Sequence, residues 1–320
     1  MTPLPPMLVN PVTLAGHSVI KVLFDLTIYL KGPSLAELDF LIDLYRATCP
    51  ARLQVKYKIA EVSFWPQLAK PPLTASGRAA ARRNVKDAFL EPVRQRIRAG
   101  RAFELQFWDG RSIDDPRGAW SFNCQRIHKR KTGLHAFVRF LLPLDEDPNV
   151  LIDLADSVAG NVEFWSGHGG LAFAYDPWHM SAAFDAIYAR AKRFWCLDIE
   201  YLNATLPLMN DHIKGVGWLT LLGADLVSSD PLRASLSGLA SEPDVASSDR
   251  QYGKVIKIGA SPVVGDVHRP GANNLAPYFV VAKALAPLFI TSIRSFPGAA
   301  FVNRGDTVGW FRRYIDLNAW

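Results

Sequence analysis

The run at residues 213–223, I-K-G-V-G-W-L-T-L-L-G, constrains the fold of this chain more than any other stretch. Val216, Trp218, Thr220 and Leu222 fall on one face of a period-two pattern, and Leu219 and Leu221 make the other face apolar. A strand that is apolar on both faces is covered on both sides, so this one is expected at the centre of a sheet. Gly215 and Gly217 just before it predict a sharp turn or the close approach of another segment, and Gly223 ends the run. A ligand-binding glycine loop is the competing reading. Short glycine patterns are weak signals, and a tight entry into a buried strand explains them.

Around that strand the chain alternates strand and helix signals. Residues 1–16 are Pro-rich and read as an irregular arm. Residues 17–30 read as a strand, Ser34 with Glu37 three positions on reads as a capping box, and 35–47 as a helix with Leu38, Leu41, Ile42 and Tyr45 in one stripe. A strand over 53–64 would complete a β-α-β start, and a Pro-rich connector follows at 66–75. The segment 78–101 is the most basic, a helix with Val85, Phe89, Val93 and Ile97 inward and arginines outward, broken or kinked at Glu91-Pro92. Strands are expected over 102–108, 119–128 and 134–144, with a charged loop from Arg126 to Lys131. The acidic loop Asp145-Glu146-Asp147 precedes a helix over 150–159, whose positive end its carboxylates would oppose. Gly167, Gly169 and Gly170 read as a turn into a strand ending at 175, and 178–195 as an amphipathic helix. Residues 228–250 read as a mobile surface connection, 253–258 as a strand, and 276–289 and 307–316 as helices.

This order gives an α+β fold with mixed or antiparallel sheets and packed helices. Its rhythm suggests two related α+β halves, 17–133 and 134–320, behind an N-terminal arm at 1–16. One continuous domain over 17–320 is the alternative. The charge is uneven: residues 1–133 carry 21 Lys and Arg against 11 Asp and Glu, a net of +10, and residues 134–320 carry 15 against 19, a net of −4. Such asymmetry suits either a nucleic-acid partner or two faces in different surroundings. Three scattered cysteines argue against a disulfide framework and for a reducing compartment. The start M-T-P-L-P-P-M lacks a basic signal-peptide region, and the apolar run 19–30, interrupted by Lys21 and Asp25, is too short to span a bilayer. A cytoplasmic protein with no membrane partner is expected.

No catalytic motif emerges. G-x-S-x-G, the phosphate-binding glycine motifs, C-x-x-C and H-E-x-x-H are all missing from the sequence. His168, His179, Cys196 and His212 are too widely spaced for a zinc site, so no metal and no cofactor are expected. Asp198 and Glu200 alternate as on a strand and could bind a cation, but two exposed carboxylates are commonplace. Asp266, His268 and Arg269 could form a small polar site; a hydrogen-bonded turn in which Asp266 holds Arg269 is the simpler reading. An enzyme around His168, Asp266 and His268 would need a deep polar pocket joining them.

I-K-G-V-G-W-L-T-L-L-G at 213–223, G-D-V-H-R at 265–269, Y-F-V-V-A-K-A-L-A-P at 278–287, W-F-R-R-Y at 310–314 and G-G-L-A-F-A-Y at 169–175 together resemble the bacterial type VI secretion immunity family paired with VRR-NUC nuclease toxins. The likeness is strongest from Leu134 onward. It implies a non-enzymatic cytoplasmic inhibitor that binds a cognate DNA-cleaving effector and occludes its DNA-binding or active-site groove. It implies no small-molecule substrate and no catalytic residues. Gly215, Gly217, Trp218, Gly265, Asp266, Arg269 and Trp310 are then fold-keeping residues of the family motifs. A nuclease groove is basic, so the contact is expected at Asp145, Glu146 and Asp147, with Asp153 and Asp156. The alternative is a nucleic-acid-binding protein using the basic residues between 78 and 131.

Overall fold

A computed structural model describes residues 4–14, 17–50, 56–60, 90–109, 119–129, 133–269, 274–302, 304–318 and 320. Its strands are β1 (Val12–Leu14), β2 (His17–Leu30), β3 (Lys56–Ala60), β4 (Phe103–Trp108), β5 (Ser121–Lys129), β6 (Gly133–Leu142), β7 (Phe164–Tyr175), β8 (Asp198–Ile199), β9 (Leu219–Gly223), β10 (Val245–Arg250) and β11 (Gly253–Ile258). They form one sheet in the order β10-β11-β9-β7-β2-β6-β5-β4-β3, with β1 beside β2 and β8 beside β7. The pairings are antiparallel except β7 with β8. The fold is therefore α+β. The sheet runs unbroken across residue 133, because β2 lies between β6 and β7.

β9 sits between β7 and β11 with all five residues buried, as its double-sided apolar pattern requires. It is shorter than the pattern suggested. Residues 214–217 precede it outside the strand, and Ile213 bridges to Phe289. The glycines of β7 are a correction. Gly167, Gly169 and Gly170 lie inside the twelve-residue strand, not in a turn. A Cβ on Gly167 would come within 2.9 Å of the Thr27 carbonyl, so their smallness serves close packing between central strands.

The helix Leu35–Thr48 begins at the expected capping box: Ser34 Oγ accepts from the Glu37 N–H and Glu37 Oε2 accepts from the Ser34 N–H. Of the basic helix expected over 78–101, residues 78–89 lie outside the described ones, and the remainder is the helix Glu91–Arg98. Pro92 opens this helix rather than breaking it, since a proline in the first turn removes no intrahelical hydrogen bond. The β-α-β start resolves differently too: β3 lies at the far edge, with three strands between it and β2. Residues 228–250 are not a loose connection. They form the helix Asp230–Leu239, with Leu232, Leu236 and Leu239 buried at helical spacing, and then β10, joined by a tight turn to β11. The N-terminal arm carries a short helix, Pro6–Val9, and β1.

The two faces of the central sheet differ. Phe24, Leu26, Ile28 and Leu30 of β2 alternate with Asp25, Thr27 and Tyr29, and all are buried. The helix Asn149–Asn161 packs on β2, β7 and β9, and the helix Leu35–Thr48 beside it places Tyr45 against Phe107 and Phe122. The opposite face meets polar residues from the segment after β8.

Candidate functional site

Antiparallel register sets Thr27 of β2 between His168 of β7 and Arg139 of β6, so the three share a face. Arg139 binds Asp25, whose other oxygen accepts from Thr27 Oγ1 at 2.7 Å. β8 lies parallel to β7 with Asp198 opposite Ala172, which puts Asp198 on the face of His168, and Glu200 two residues on follows it. Lys214, from the extended lead into β9, reaches in between. Its Nζ lies 2.5 Å from Asp198 Oδ2, 3.0 Å from Glu200 Oε2 and 3.4 Å from His168 Nε2. His168 Nε2 is 3.1 Å from each carboxylate. Tyr29 Oη and Thr205 Oγ1 donate to Glu200 at 3.4 and 3.2 Å.

Electrostatics make this a self-neutral quartet. Burial and the Lys214 charge pull the His168 pKa down. The charge and hydrogen bond of Asp198 and the hydrogen bond of Glu200 outweigh them and push it up from 6.5 to about 9. Burial raises the carboxyls, but the cations Lys214 and His168 hold both below the usual range. Two cations thus face two carboxylates. A buried charge persists only when paired, and His168 is paired through Nε2 alone, its Nδ1 being buried without a hydrogen-bond partner.

His168, Asp198 and Glu200 have the donors of a metal site, with ligand atoms within 4.8 Å of one another. The Lys214 ammonium stands where the cation would, so the chain supplies its own counter-charge. The expectation of two exposed carboxylates is corrected: Glu200 is 1% exposed, and the cation this pair binds belongs to the same chain. A cavity of about 20 Å³, the size of a water molecule rather than a metabolite, borders the quartet between Gly169, Lys214, Trp310 and Arg313. Neither Asp266 nor His268 lines it.

The family-motif residues support this packing. A Cβ on Gly217 would lie 3.0 Å from the carbonyls of Gly169 and Leu219. Trp218 and Trp310 are buried, and the Trp310 ring lies 4.2 Å from the Arg313 guanidinium. Gly215 lines the cavity. Gly265 adopts φ +66°, and a Cβ there would meet Cys196 Sγ at 2.7 Å. Asp266 is the centre of a hydrogen-bonded turn, accepting from the His268 N–H at 3.1 Å. Its carbonyl accepts from the Arg269 N–H at 3.0 Å, as the turn predicts, while its side chain also takes Arg193, at 2.7 and 2.9 Å. The forked Arg193–carboxylate geometry captures both oxygens from a distant element, which local spacing could not foresee.

The acidic residues lie apart from the quartet. Asp145, Asp147 and Asp153 are exposed and Glu146 is half-buried, in the loop after β6 and on the helix it enters. Asp147 accepts from the Asn149 N–H at 2.9 Å, and none of the four has an ion-pair partner among the described residues. Asp156 differs: Arg250 and Ser248 already hold it, the former at 2.6 Å. Of the basic segment, Arg96 and Arg126 are buried, Arg126 binding the carbonyls of Arg96, Ile97 and Arg101. Arg94 pairs with Asp39 and Arg98 with Glu91. Arg94, Arg96, Arg98 and Arg126 thus serve the fold, while Arg101 is exposed; Arg78 to Lys86, Arg130 and Lys131 lie outside the described residues.

Lys214, Tyr29 and the Asp25–Arg139 pair were missed as site residues. The available signal was Asp25 in the middle of the mostly apolar run 22–30, since a charge there demands a buried partner. No helix among the described residues is long and apolar enough to cross a membrane.

Comparison with known proteins adds two findings. The family described as type VI immunity for VRR-NUC matches residues 65–314. A Pseudomonas aeruginosa T6SS protein has a similar structure, with a TM-score of 0.62, 20% identity, and coverage of 92% of this chain and 82% of that one. At that identity the likeness is one of fold. No curated protein matches the chain.

Proposed function

The chain belongs to the family of type VI immunity proteins for VRR-NUC, and from that premise we propose that it binds a cognate VRR-NUC nuclease effector and neutralises it by covering its DNA-binding groove. It acts by occupying a surface, in the cytoplasm where such an effector would reach DNA, and brings no reactive group of its own. A nuclease groove is lined with the cations that hold phosphates, so its inhibitor needs unpaired carboxylates.

The observation that carries this reading is the charge around the acidic loop. The chain is net positive, yet no Lys or Arg occurs between Arg139 and Arg190. Within that window Asp145, Glu146, Asp147 and Asp153 have no ion-pair partner among the described residues and no burial that would neutralise them. Asp156, which is spent on Arg250, is assigned a structural part instead.

The test is the triple change Asp145→Lys, Glu146→Lys, Asp147→Lys. Affinity for the purified nuclease should fall, its salt dependence should flatten, and cells carrying the variant should lose protection. Unchanged affinity and unchanged protection would remove the loop from the contact.

A further inference from the structure

Two of the six large apolar side chains standing exposed among the described residues, Leu14 and Trp178, stand at one end of the sheet. The strand register places them there. β6 ends at Leu142 opposite Phe24, and β1 continues along the same edge of β2, with Val12 opposite Ile20 and Leu14 opposite His17. On the other side of β2, β7 runs out at Tyr175 opposite Ile20, and the Asp176 N–H bonds the Val19 carbonyl at 2.9 Å. The loop that leaves β6 with Asp145, Glu146 and Asp147, the strand β1, and the turn Pro177–His179 therefore all emerge at the same end.

Trp178 is 73% exposed, although its backbone is firmly held. Asp176 Oδ1 accepts from the Trp178 N–H at 3.0 Å, and Asp176 Oδ2 meets His179 Nδ1 at 2.8 Å. A large indole fixed outward in this way adds little to the packed core. It has the character of an interface anchor, the residue type most enriched in hot spots, with little backbone ordering left to lose on binding.

We infer that this end of the sheet is the docking surface for the nuclease effector, with Trp178 seated in an apolar pocket beside the groove and the acidic loop set against the groove's cations. The inference rests on the function proposed above. It adds the anchor and the extent of the surface, an apolar centre beside a charged rim, which is the ordinary anatomy of a specific interface. The occupant is chosen by charge. The loop and the turn belong to the stretch without Lys or Arg, so a basic partner suits them and a second copy of this net-positive chain does not.

The experiment measures binding of the full chain to the nuclease encoded in the neighbouring reading frame, inactivated at its catalytic residues, by calorimetry. Trp178→Ala should weaken binding by roughly 30-fold or more, as a hot-spot loss of about 2 kcal/mol implies. Leu14→Ser should weaken it several-fold. Val302→Ser, equally exposed but elsewhere, should leave it unchanged. Thermal unfolding should be the same for all four proteins. Wild-type binding with an unaltered Trp178→Ala affinity would overturn this surface and leave the immunity reading standing. No wild-type binding would overturn both. A dimer of the chain alone that Trp178→Ala dissolves would assign the patch to a second copy and also overturn the inference.

Discussion

The two faces of β2 are built on opposite physics. On one, Phe24, Leu26, Ile28 and Leu30 are buried beneath the helix Asn149–Asn161, and cohesion is the non-directional removal of apolar area from water. On the other, Asp25, Thr27 and Tyr29 join Arg139, His168, Glu200 and Lys214 in a network of hydrogen bonds and ion pairs, which are directional. Loss on the first face is graded with the volume removed. Loss on the second is abrupt, because removing one member strands the others in a medium that cannot solvate them. The quartet ties Asp198, Glu200 and Lys214 to the sheet at His168.

The sharpest way to break this contrast is Lys214→Met, which keeps most of the side chain's length and removes its charge. Two carboxylates would then share one imidazolium, and chemical denaturation should show a loss of about 3–5 kcal/mol. A loss below about 1 kcal/mol would mean that the polar face is no more demanding than the apolar one.

Stability against pH sharpens the same contrast. The folded His168 pKa of about 9 exceeds its ordinary 6.5, so its contribution is full below pH 6.5 and disappears as pH rises through 9. Asp198 and Glu200 are depressed from 3.8 and 4.5, so theirs is full above those values and is lost as pH falls toward the folded ones. Unfolding free energy should therefore be flat between about pH 4.5 and 6.5 and decline on both sides. A flat profile up to pH 9 would show that His168 is not held as its cation. The smallest expected effect is on the apolar face. Ile28→Val should cost about 1 kcal/mol, by the same amount at pH 6 and pH 9.

Much of the apolar face was legible in the sequence. The stripe Leu38, Leu41, Ile42, Tyr45, the capping box at Ser34 and Glu37, and the doubly apolar β9 are local patterns with local causes. The polar face was not. Its partners come from residues far apart in the chain, Lys214 with Asp198 and His168, Arg139 with Asp25, Arg193 with Asp266, and no spacing rule joins them. Asp266 takes its neighbour Arg269 through its carbonyl, as expected, but its side chain's hold on Arg193 was not legible for the same reason. The glycines of β7 misled because glycine marks a turn and a close strand contact alike. Trp178 was hidden because it begins what reads as one amphipathic helix from 178 to 195; the observed helix is Met180–Ala191, and the tryptophan stands outside it.

Whether the molecule works by covering a nuclease is decided by titrating the purified chain into a DNA-cleavage reaction catalysed by the neighbouring-frame effector. Cleavage should fall linearly and stop near one equivalent, with the inhibitor recovered intact and bound. Undiminished cleavage at a large excess of the folded chain would contradict the account.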